Sequence, residues 1–395
     1  MTDLFMLLAA ALVTVLSLPG SLTLALLSLA ALWPRRDVRV VDAAETGRIA
    51  IVIPAHNESA SIGRTLNNVL AASRADARSD VWVIADNCDD DTAQRAEAAG
   101  ANVIVRRHAT LRGKGHALEH AFVRLAPAAY DWLLVIDADS TLESGFLSAM
   151  RAAMHPDRNA LQACYLSTAG HHLRSRVSRL AQWGFNLVRP LARERLGFSC
   201  GLLGNGFALR AELLDRLPYR AHSVVEDLEY HLLLVTHGER VHFVAGAVVT
   251  GEIADTRDGA RTQRTRWEGG RLRMLQEHFP CLLRRTLSGD RSAAELLADL
   301  LLLPLGMHVL LLLIAALLGG VGVYAALIGS LAIGLYVSAI LWRGPTTTMD
   351  LLVLACSPFY LIWKLTLLPA TLLQSRRRAH WVRSRRNHET ETIHD

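Results

Sequence analysis

Leu4 to Trp33 contains no charged side chain, and neither does Leu301 to Trp342, where His308 is the one side chain of a type that titrates near neutral pH. Segments this apolar do not cover the surface of a water-soluble domain. Thirty helical residues reach about 45 Å, against a hydrocarbon core of about 30 Å. The first segment therefore reads as one tilted or kinked membrane helix, with Pro19-Gly20 as the kink. A cleaved signal peptide fits poorly, because a basic leading region is missing and the segment is too long. The second segment is too long for one crossing. Gly319-Gly320-Val321-Gly322, near its middle, suits a turn between two antiparallel helices. A third apolar stretch, Asp350 to Leu373, is interrupted by Ser357-Pro358 and Lys364. Three full C-terminal crossings would place the Arg-rich tail opposite a cytosolic middle, against the positive-inside rule. A re-entrant or interfacial segment over 350–373 removes the conflict, and the sequence leaves both arrangements open.

Charge supports the same division. The net charge is +5 and the pI is about 9.1. Arg35, Arg36 and Arg39 follow the first apolar segment, and Arg376, Arg377, Arg378, Arg383, Arg385 and Arg386 follow the last. Basic residues beside apolar spans suit lipid headgroups and argue against a nucleic-acid partner. The five cysteines are odd in number and form no C-x-x-C pair, which speaks against a disulfide framework or zinc cluster. Reduced thiols facing the cytosol are expected. With 51% hydrophobic and 20% charged residues, a disordered chain, a collagen-like fibre and a small disulfide scaffold are excluded. The expected organisation is an anchor over 1–39, a cytosolic domain over 40–290, membrane segments within 291–375 (about 300–319, 321–342 and 350–373) and a basic tail over 376–395.

Between the apolar ends, strand and helix patterns alternate. Ile49-Ala50-Ile51-Val52-Ile53 is a continuous apolar run, as a buried parallel strand requires. Val81-Trp82-Val83-Ile84, Val103-Ile104-Val105 and Trp132-Leu133-Leu134-Val135-Ile136 repeat the pattern, with helices expected from Ser59, Thr92 and Lys114. Repeated β–α units predict a mostly parallel sheet covered by helices, with ligands at the C-terminal strand ends. Neither a dinucleotide fingerprint nor a P-loop stands there.

Acidic residues stand there instead. Pro54-Ala55-His56-Asn57-Glu58 follows the first strand, Asp86-Asn87-Cys88-Asp89-Asp90-Asp91 the second, and Asp137-Ala138-Asp139 the fourth. Carboxylates gathered at one edge repel unless a cation sits among them. Hard oxygen ligands suit Mg²⁺ or Mn²⁺ shared with substrate phosphates. Asp89 to Asp91 precede a helix and serve equally well as turn or cap residues. Arg112-Gly113-Lys114-Gly115 opens a helix and lets backbone approach an anion, though a basic loop is more often simply solvated. Glu226-Asp227 begins a further helix, where acids also complement the dipole. Gln263-Arg264-Thr265-Arg266-Trp267 pairs a cation with an aromatic ring. That pair can hold a phosphate beside a sugar face, lie on a surface helix, or anchor at the membrane interface.

Taken in order, these residues resemble a membrane family-2 glycosyltransferase with a GT-A catalytic domain. The matching residues are Ile-Pro-Ala-His-Asn-Glu at 53–58, Asp86, Gly-Lys-Gly at 113–115, D-x-D at 137–139, Glu-Asp at 226–227 and Q-x-x-R-W at 263–267. The last is similar to the branch containing cellulose, chitin and hyaluronan synthases and ceramide glucosyltransferase. The resemblance implies an α/β, Rossmann-like GT-A fold flanked by transmembrane helices. It implies that Pro54, Ala55, Glu58 and Asp86 line the nucleotide and that Lys114 lies near the base or diphosphate. Asp137 and Asp139 hold the metal and donor, with Asp139 the direct ligand. Asp227 is the base, Arg266 meets the diphosphate, and Glu226, Gln263 and Trp267 meet the acceptor. Val-Glu-Asp at 225–227 and Ala-Asp-Asn at 85–87 depart from common forms of these motifs.

The expected activity is inverting, metal-dependent sugar transfer from a UDP- or GDP-sugar to a lipid-linked or glycan acceptor, in polysaccharide assembly. The expected location is the inner membrane, facing the cytoplasm, in contact with membrane lipids. A processive synthase that extrudes its product is the alternative enzyme, and a membrane scaffold with a relic domain is the alternative from another class.

Overall fold

A computed structural model describes residues 2–34, 47–126, 130–168, 173–252 and 257–376. The chain divides into two compact units. One holds the sheet, residues 36–170 and 199–259; the other is helical, residues 1–35, 171–198 and 260–378.

The sheet unit begins with β1 (Ile49–Ala55), α2 (Ile62–Asp76), β2 (Ser79–Asp86), α3 (Thr92–Ala98), β3 (Asn102–Arg106), α4 (Lys114–Leu125) and β4 (Trp132–Val135), following α1 (Thr2–Leu32) of the helical unit. The four strands expected from apolar runs all form, and β3, β2, β1 and β4 pair in parallel. Ile49, Ala50, Ile51, Val52 and Ile53 of β1 and Leu133, Leu134 and Val135 of β4 are all wholly buried, so these two strands are covered on both faces as continuous apolar runs require, whereas β3 at the sheet edge is partly exposed. β5 (Thr141–Leu142), α5 (Phe146–Ala153), β6 (Ala160–Thr168), β7 (Phe207–Arg210), α8 (Ala211–Arg216), α9 (Glu226–Thr236) and β8 (Val241–Glu252) complete the unit, with α6 (Leu173–Trp183) and α7 (Arg189–Leu196) of the helical unit inserted between β6 and β7.

The eight strands run in the order β3-β2-β1-β4-β7-β6-β8-β5. β7 is antiparallel to both β4 and β6, whereas β6 and β8 are parallel. The sheet is therefore mostly parallel with a reversed strand next to β4. A buried arginine ties its N-terminal edge together. Arg151 on α5 makes an ion pair with Asp76 at the end of α2 and donates to the carbonyls of Gly47 and Arg78.

In the helical unit, α1 is one helix with Pro19 inside it, in keeping with the single N-terminal segment expected. A π-helical turn, Gly184–Val188, joins α6 to α7. α10 (Arg257–Leu287), α11 (Arg291–Leu301), α12 (Leu305–Leu318) and α13 (Val321–Arg343) follow, and Gly319-Gly320 separate α12 from α13. α14 (Thr348–Leu354), α15 (Ser357–Leu365) and α16 (Leu368–Arg376) end the described chain. α1 and α13 are each long and apolar enough to cross a membrane. The bent pairs α11–α12 (77°) and α14–α15 (51°) also pass that test when each is taken together. Arg195 on α7 donates to the carbonyls of Ala30 and Ala31, and Arg343 at the end of α13 donates to Ala31 and Leu32. The exposed C-terminal carbonyls of α1 are thereby satisfied by two cations, which also suit the negative pole of the helix.

Replacing Arg151 by alanine strands a buried carboxylate and is expected to cost about 3–5 kcal/mol in unfolding experiments. Burial opposes ionisation of Asp76, but Arg151 outweighs it and holds the carboxyl below its ordinary range. The wild-type advantage is therefore full at neutral pH and disappears as pH falls through that depressed value.

Candidate active site

The site is built where parallel strands end. After β1, the Glu58 N–H donates to Thr92 Oγ1 (2.8 Å), and the Glu58 carboxylate accepts from Ser61 Oγ (2.7 Å). After β2, Asp86 is buried, and its Oδ1 accepts from Arg106 Nη1 at 2.5 Å and from Asn87 Nδ2 at 3.0 Å. Arg106, the last residue of β3, thus neutralises Asp86, a partnership that the sequence pattern did not announce. The next acids are structural. Asp90 accepts from the backbone of Ser59 and Thr92 and from the Thr92 hydroxyl, and Asp91 pairs with Arg95 one turn on. These bonds fix the starts of α2 and α3.

The D-x-D loop after β4 is braced from two sides. Thr65 on α2 donates to the Ala138 carbonyl (2.9 Å), and Asn68 exchanges two hydrogen bonds with the Leu142 backbone. From the other side, the Asp137 N–H donates to Asn205 Oδ1 (3.1 Å), while Asn205 Nδ2 donates to Ser140 Oγ. Asn205 is held in turn by Gln162, which is wholly buried on β6. Its amide donates to the Asn205 carbonyl (2.7 Å) and accepts from the Leu203 N–H (2.9 Å). Gln162 lies between apolar neighbours, Leu161 and Ala163, in β6; that isolated amide was the signal available in the sequence.

Lys114 joins these loops. Its Nζ donates to Asp137 Oδ1 and to the Gly204 carbonyl, both at 2.5 Å, and lies 4.0 Å from Glu226 Oε1. Burial disfavours its charge, but Asp137 and Glu226 outweigh that cost and raise its pKa. Gly204 has φ +78°, and a Cβ there would lie 3.0 Å from Asp227 Oδ2. Burial raises the Asp227 pKa, against the lowering effects of the Leu228 N–H, which donates to Oδ1 (2.8 Å), and of Lys114. Tyr219, unmarked in the sequence, packs against Tyr230, and its hydroxyl has no hydrogen-bond partner among the described residues. Burial, followed by the charges of Glu226 and Asp227, raises its pKa. Gly115 serves packing: a Cβ there would overlap the Ala221 carbonyl of the segment leading to α9.

Pro54, Ala55, Glu58, Asp86, Lys114, Asp137, Asp139, Glu226 and Asp227 thus all belong to the sheet unit, and Lys114 brings Asp137, Gly204 and Glu226 together. Gln263, Arg266 and Trp267 lie half-buried on α10 in the helical unit. There α10 is fixed by Arg264 to Ser178, by Glu268 to Lys364 (2.6 Å) and by Arg271 to Asp299.

A mostly parallel α/β sheet with an acidic, lysine-bridged C-terminal edge defines a GT-A-type transferase. Residues 47–270, more than half of the chain, match the model of the glycosyltransferase-like family 2, and the chain belongs to that family. It is similar to the probable glycosyltransferase YdaM of Bacillus subtilis, 24% identical over 249 residues, covering 60% of this chain and 59% of that protein. It is also similar to the beta-monoglucosyldiacylglycerol synthase of Synechocystis, 25% identical over 239 residues, covering 58% and 49% respectively. The chain thus spans between about half and three-fifths of the length of these two relatives. Among solved structures, it resembles the mannosyltransferase PcManGT from Pyrobaculum calidifontis, determined with GDP-Man and Mn²⁺. The TM-score is 0.60 at 17% identity, over 95% of this chain and 100% of that one. At that identity the likeness establishes the shared fold.

Gln162→Leu keeps the volume but leaves the Leu203 N–H and Asn205 carbonyl unpaired. Each buried group left unsatisfied costs about 1–3 kcal/mol, so a clear drop in thermal midpoint is expected.

Proposed function

We propose that this glycosyltransferase moves a sugar, with inversion, from a nucleotide-diphosphate sugar to the hydroxyl of a lipid-linked or glycan acceptor at the membrane. The observation that carries the reading is the meeting of Lys114, Asp137 and Glu226 beside Asp227 at the strand ends. Pro54, Ala55, Glu58 and Asp86 are assigned to the nucleotide. The family motif assigns Arg266 to the diphosphate and Gln263, Trp267 and Glu226 to the acceptor.

The acidic edge suits a divalent cation. Its donors are hard carboxylate oxygens on a loop braced by Thr65, Asn68 and Asn205, and Asp137 already draws the Lys114 ammonium to 2.5 Å. Asp139, with Asp137, is assigned to hold Mg²⁺ or Mn²⁺; PcManGT carries Mn²⁺ with GDP-Man. Such an ion supplies positive charge that makes a nucleoside diphosphate a better leaving group. Lys114 adds charge on the same side.

Asp227 acts as general base. A carboxylate made more basic by burial is suited to take a proton from an acceptor hydroxyl at neutral pH. The acceptor oxygen forms its bond to the anomeric carbon as the bond to the diphosphate breaks on the opposite face. The proton rests on Asp227 and the nucleoside diphosphate departs. One displacement inverts the anomeric configuration and leaves no covalent enzyme intermediate.

Among the described residues, two long apolar helices, or up to four spans counting the bent pairs, support a membrane enzyme. So few spans favour discrete transfer over threading a polymer. The name of the Synechocystis relative agrees with a lipid acceptor. Attachment to the inner membrane, facing the cytoplasm, would let one enzyme meet soluble sugar nucleotides and membrane-held acceptors, in keeping with a role in polysaccharide assembly.

Asp227→Asn is expected to lower transfer by about 100- to 10,000-fold while nucleotide binding with Mn²⁺ stays within a few-fold of wild type. Asp139→Ala is expected to abolish metal-dependent binding itself. Equal loss of binding and transfer in Asp227→Asn removes it from the role of base. In wild type, kcat/KM should rise with pH through a midpoint above the ordinary aspartate range. Lys114→Met, which removes a charge that lowers the Asp227 pKa, should move that midpoint higher.

A further inference from the structure

α4 carries a second set of donors beyond Lys114. His116 and Glu119 stand one helical turn apart on it, at about 200° and 140° around the axis from Lys114, on the other side of the helix. His222 meets them from the segment between α8 and α9. That segment lies against α4 because residue 115 is glycine. A Cβ there would fall 2.0 Å from the Ala221 carbonyl oxygen and 3.2 Å from the His222 Cα. The His222 ring stacks on that of His116, with centroids 3.9 Å apart and planes 19° apart. His222 Nε2 donates to Glu119 Oε2 at 2.7 Å, and His116 Nδ1 lies 4.0 Å from the same oxygen. All three donor atoms lie within 4.8 Å of one another.

An ion pair between Glu119 and His222 accounts for two of these residues and leaves the third. Two stacked imidazoles repel when both are charged. Burial, then the charges of His222 and Arg106, lower the His116 pKa, which keeps that ring in the neutral form that binds metal. Two imidazole nitrogens and one carboxylate oxygen form the donor set of zinc centres that have three protein ligands and one open position. With metal–ligand lengths of about 2.0–2.2 Å, tetrahedral donors stand about 3.4 Å apart. The separations of 2.7 and 4.0 Å bracket that spacing, and side-chain rotation that turns the rings from stacked to convergent closes the set. The His222 side chain is 34% exposed, so solvent reaches the fourth position. Imidazole suits zinc, whereas the carboxylates of the D-x-D loop suit Mg²⁺ or Mn²⁺. The two sets of donors therefore select different ions.

We infer that His116, Glu119 and His222 form a Zn²⁺ site, separate from the D-x-D loop, with water as the fourth ligand. The ion takes the place of the proton between His222 and Glu119. It joins α4 to the segment that leads into Glu226 and Asp227. The Ser223 N–H, next in the chain to His222, donates to Glu229 Oε2 (2.8 Å), so a hold on His222 is passed to the first turn of α9. Zn²⁺ here clasps a loop and takes no part in sugar transfer, and the site does not depend on the sugar-transfer reading.

The test uses the full chain in detergent, stripped with EDTA and then held in excess Mg²⁺, which fills oxygen sites and competes poorly for imidazole. Zn²⁺ is titrated in competition with a chromogenic chelator, and Co²⁺ is added to a second sample as a spectroscopic substitute. Wild type is expected to retain about one more equivalent of Zn²⁺ than His116→Ala, His222→Ala or Glu119→Gln. Each variant should bind that ion more than about 100-fold more weakly, since loss of an outer-shell partner alone costs 10- to 100-fold. Co²⁺ should give the visible absorption of a tetrahedral centre in wild type and not in the variants, and Zn²⁺ should raise the thermal midpoint of wild type more than theirs. Asp139→Ala should keep this Zn²⁺. Equal Zn²⁺ binding by wild type and the histidine variants, or none by either, overturns the proposal. Loss of the ion in Asp139→Ala assigns it to the D-x-D loop and overturns the proposal as well. Should an alanine variant fail to fold, His222→Gln at the half-exposed position gives the same comparison.

Discussion

The strand-end chemistry depends on one ammonium group. Asp137, Glu226 and Asp227 occupy a confined edge, and like charges so close cannot remain ionised together without a counter-charge. Lys114 supplies it, in contact with Asp137 and the Gly204 carbonyl and 4.0 Å from Glu226. Because one side chain faces three loops, the positions of D-x-D, the 204–206 turn and the start of α9 are set relative to each other. The site is polar where it must act and is held by apolar strands behind it.

Such an arrangement requires rigid support. The supporting bonds come from amides and hydroxyls that carry no charge: Thr65, Asn68, Gln162 and Asn205. Neutral groups fix loop geometry without adding to an already crowded charge distribution. Arg106 on Asp86 and Arg151 on Asp76 do use charge, at places where a single buried carboxylate needs one partner.

The parallel half of the sheet was legible because its strands are unbroken apolar runs of the kind a two-sided burial demands. The acids at their ends were legible for the same reason, since an acid directly after five apolar residues has few structural explanations. The antiparallel insertion was not. β7 is four residues long and β5 two, too short for period or propensity to mark. Gln162 and Tyr219 escaped because their roles depend on partners 41 and 7 or more residues away in sequence. The 350–373 stretch was ambiguous because hydropathy counts residues and not partners: Lys364 reads as an interruption of a span until Glu268 is seen beside it.

The two arginines that close the end of α1 make the N-terminal helix a structural member of its unit. Its last carbonyls are the acceptors for Arg195 and Arg343, and its buried face, including Ser17, Ser21, Leu24 and Leu27, is covered within the helical unit. A version of this protein trimmed of residues 1–34 would not simply be released from a tether. It would take from two cations their α1 carbonyl acceptors and uncover the apolar flank of α13 that packs against α1, so a soluble form cannot be reached by shortening the chain from that end alone.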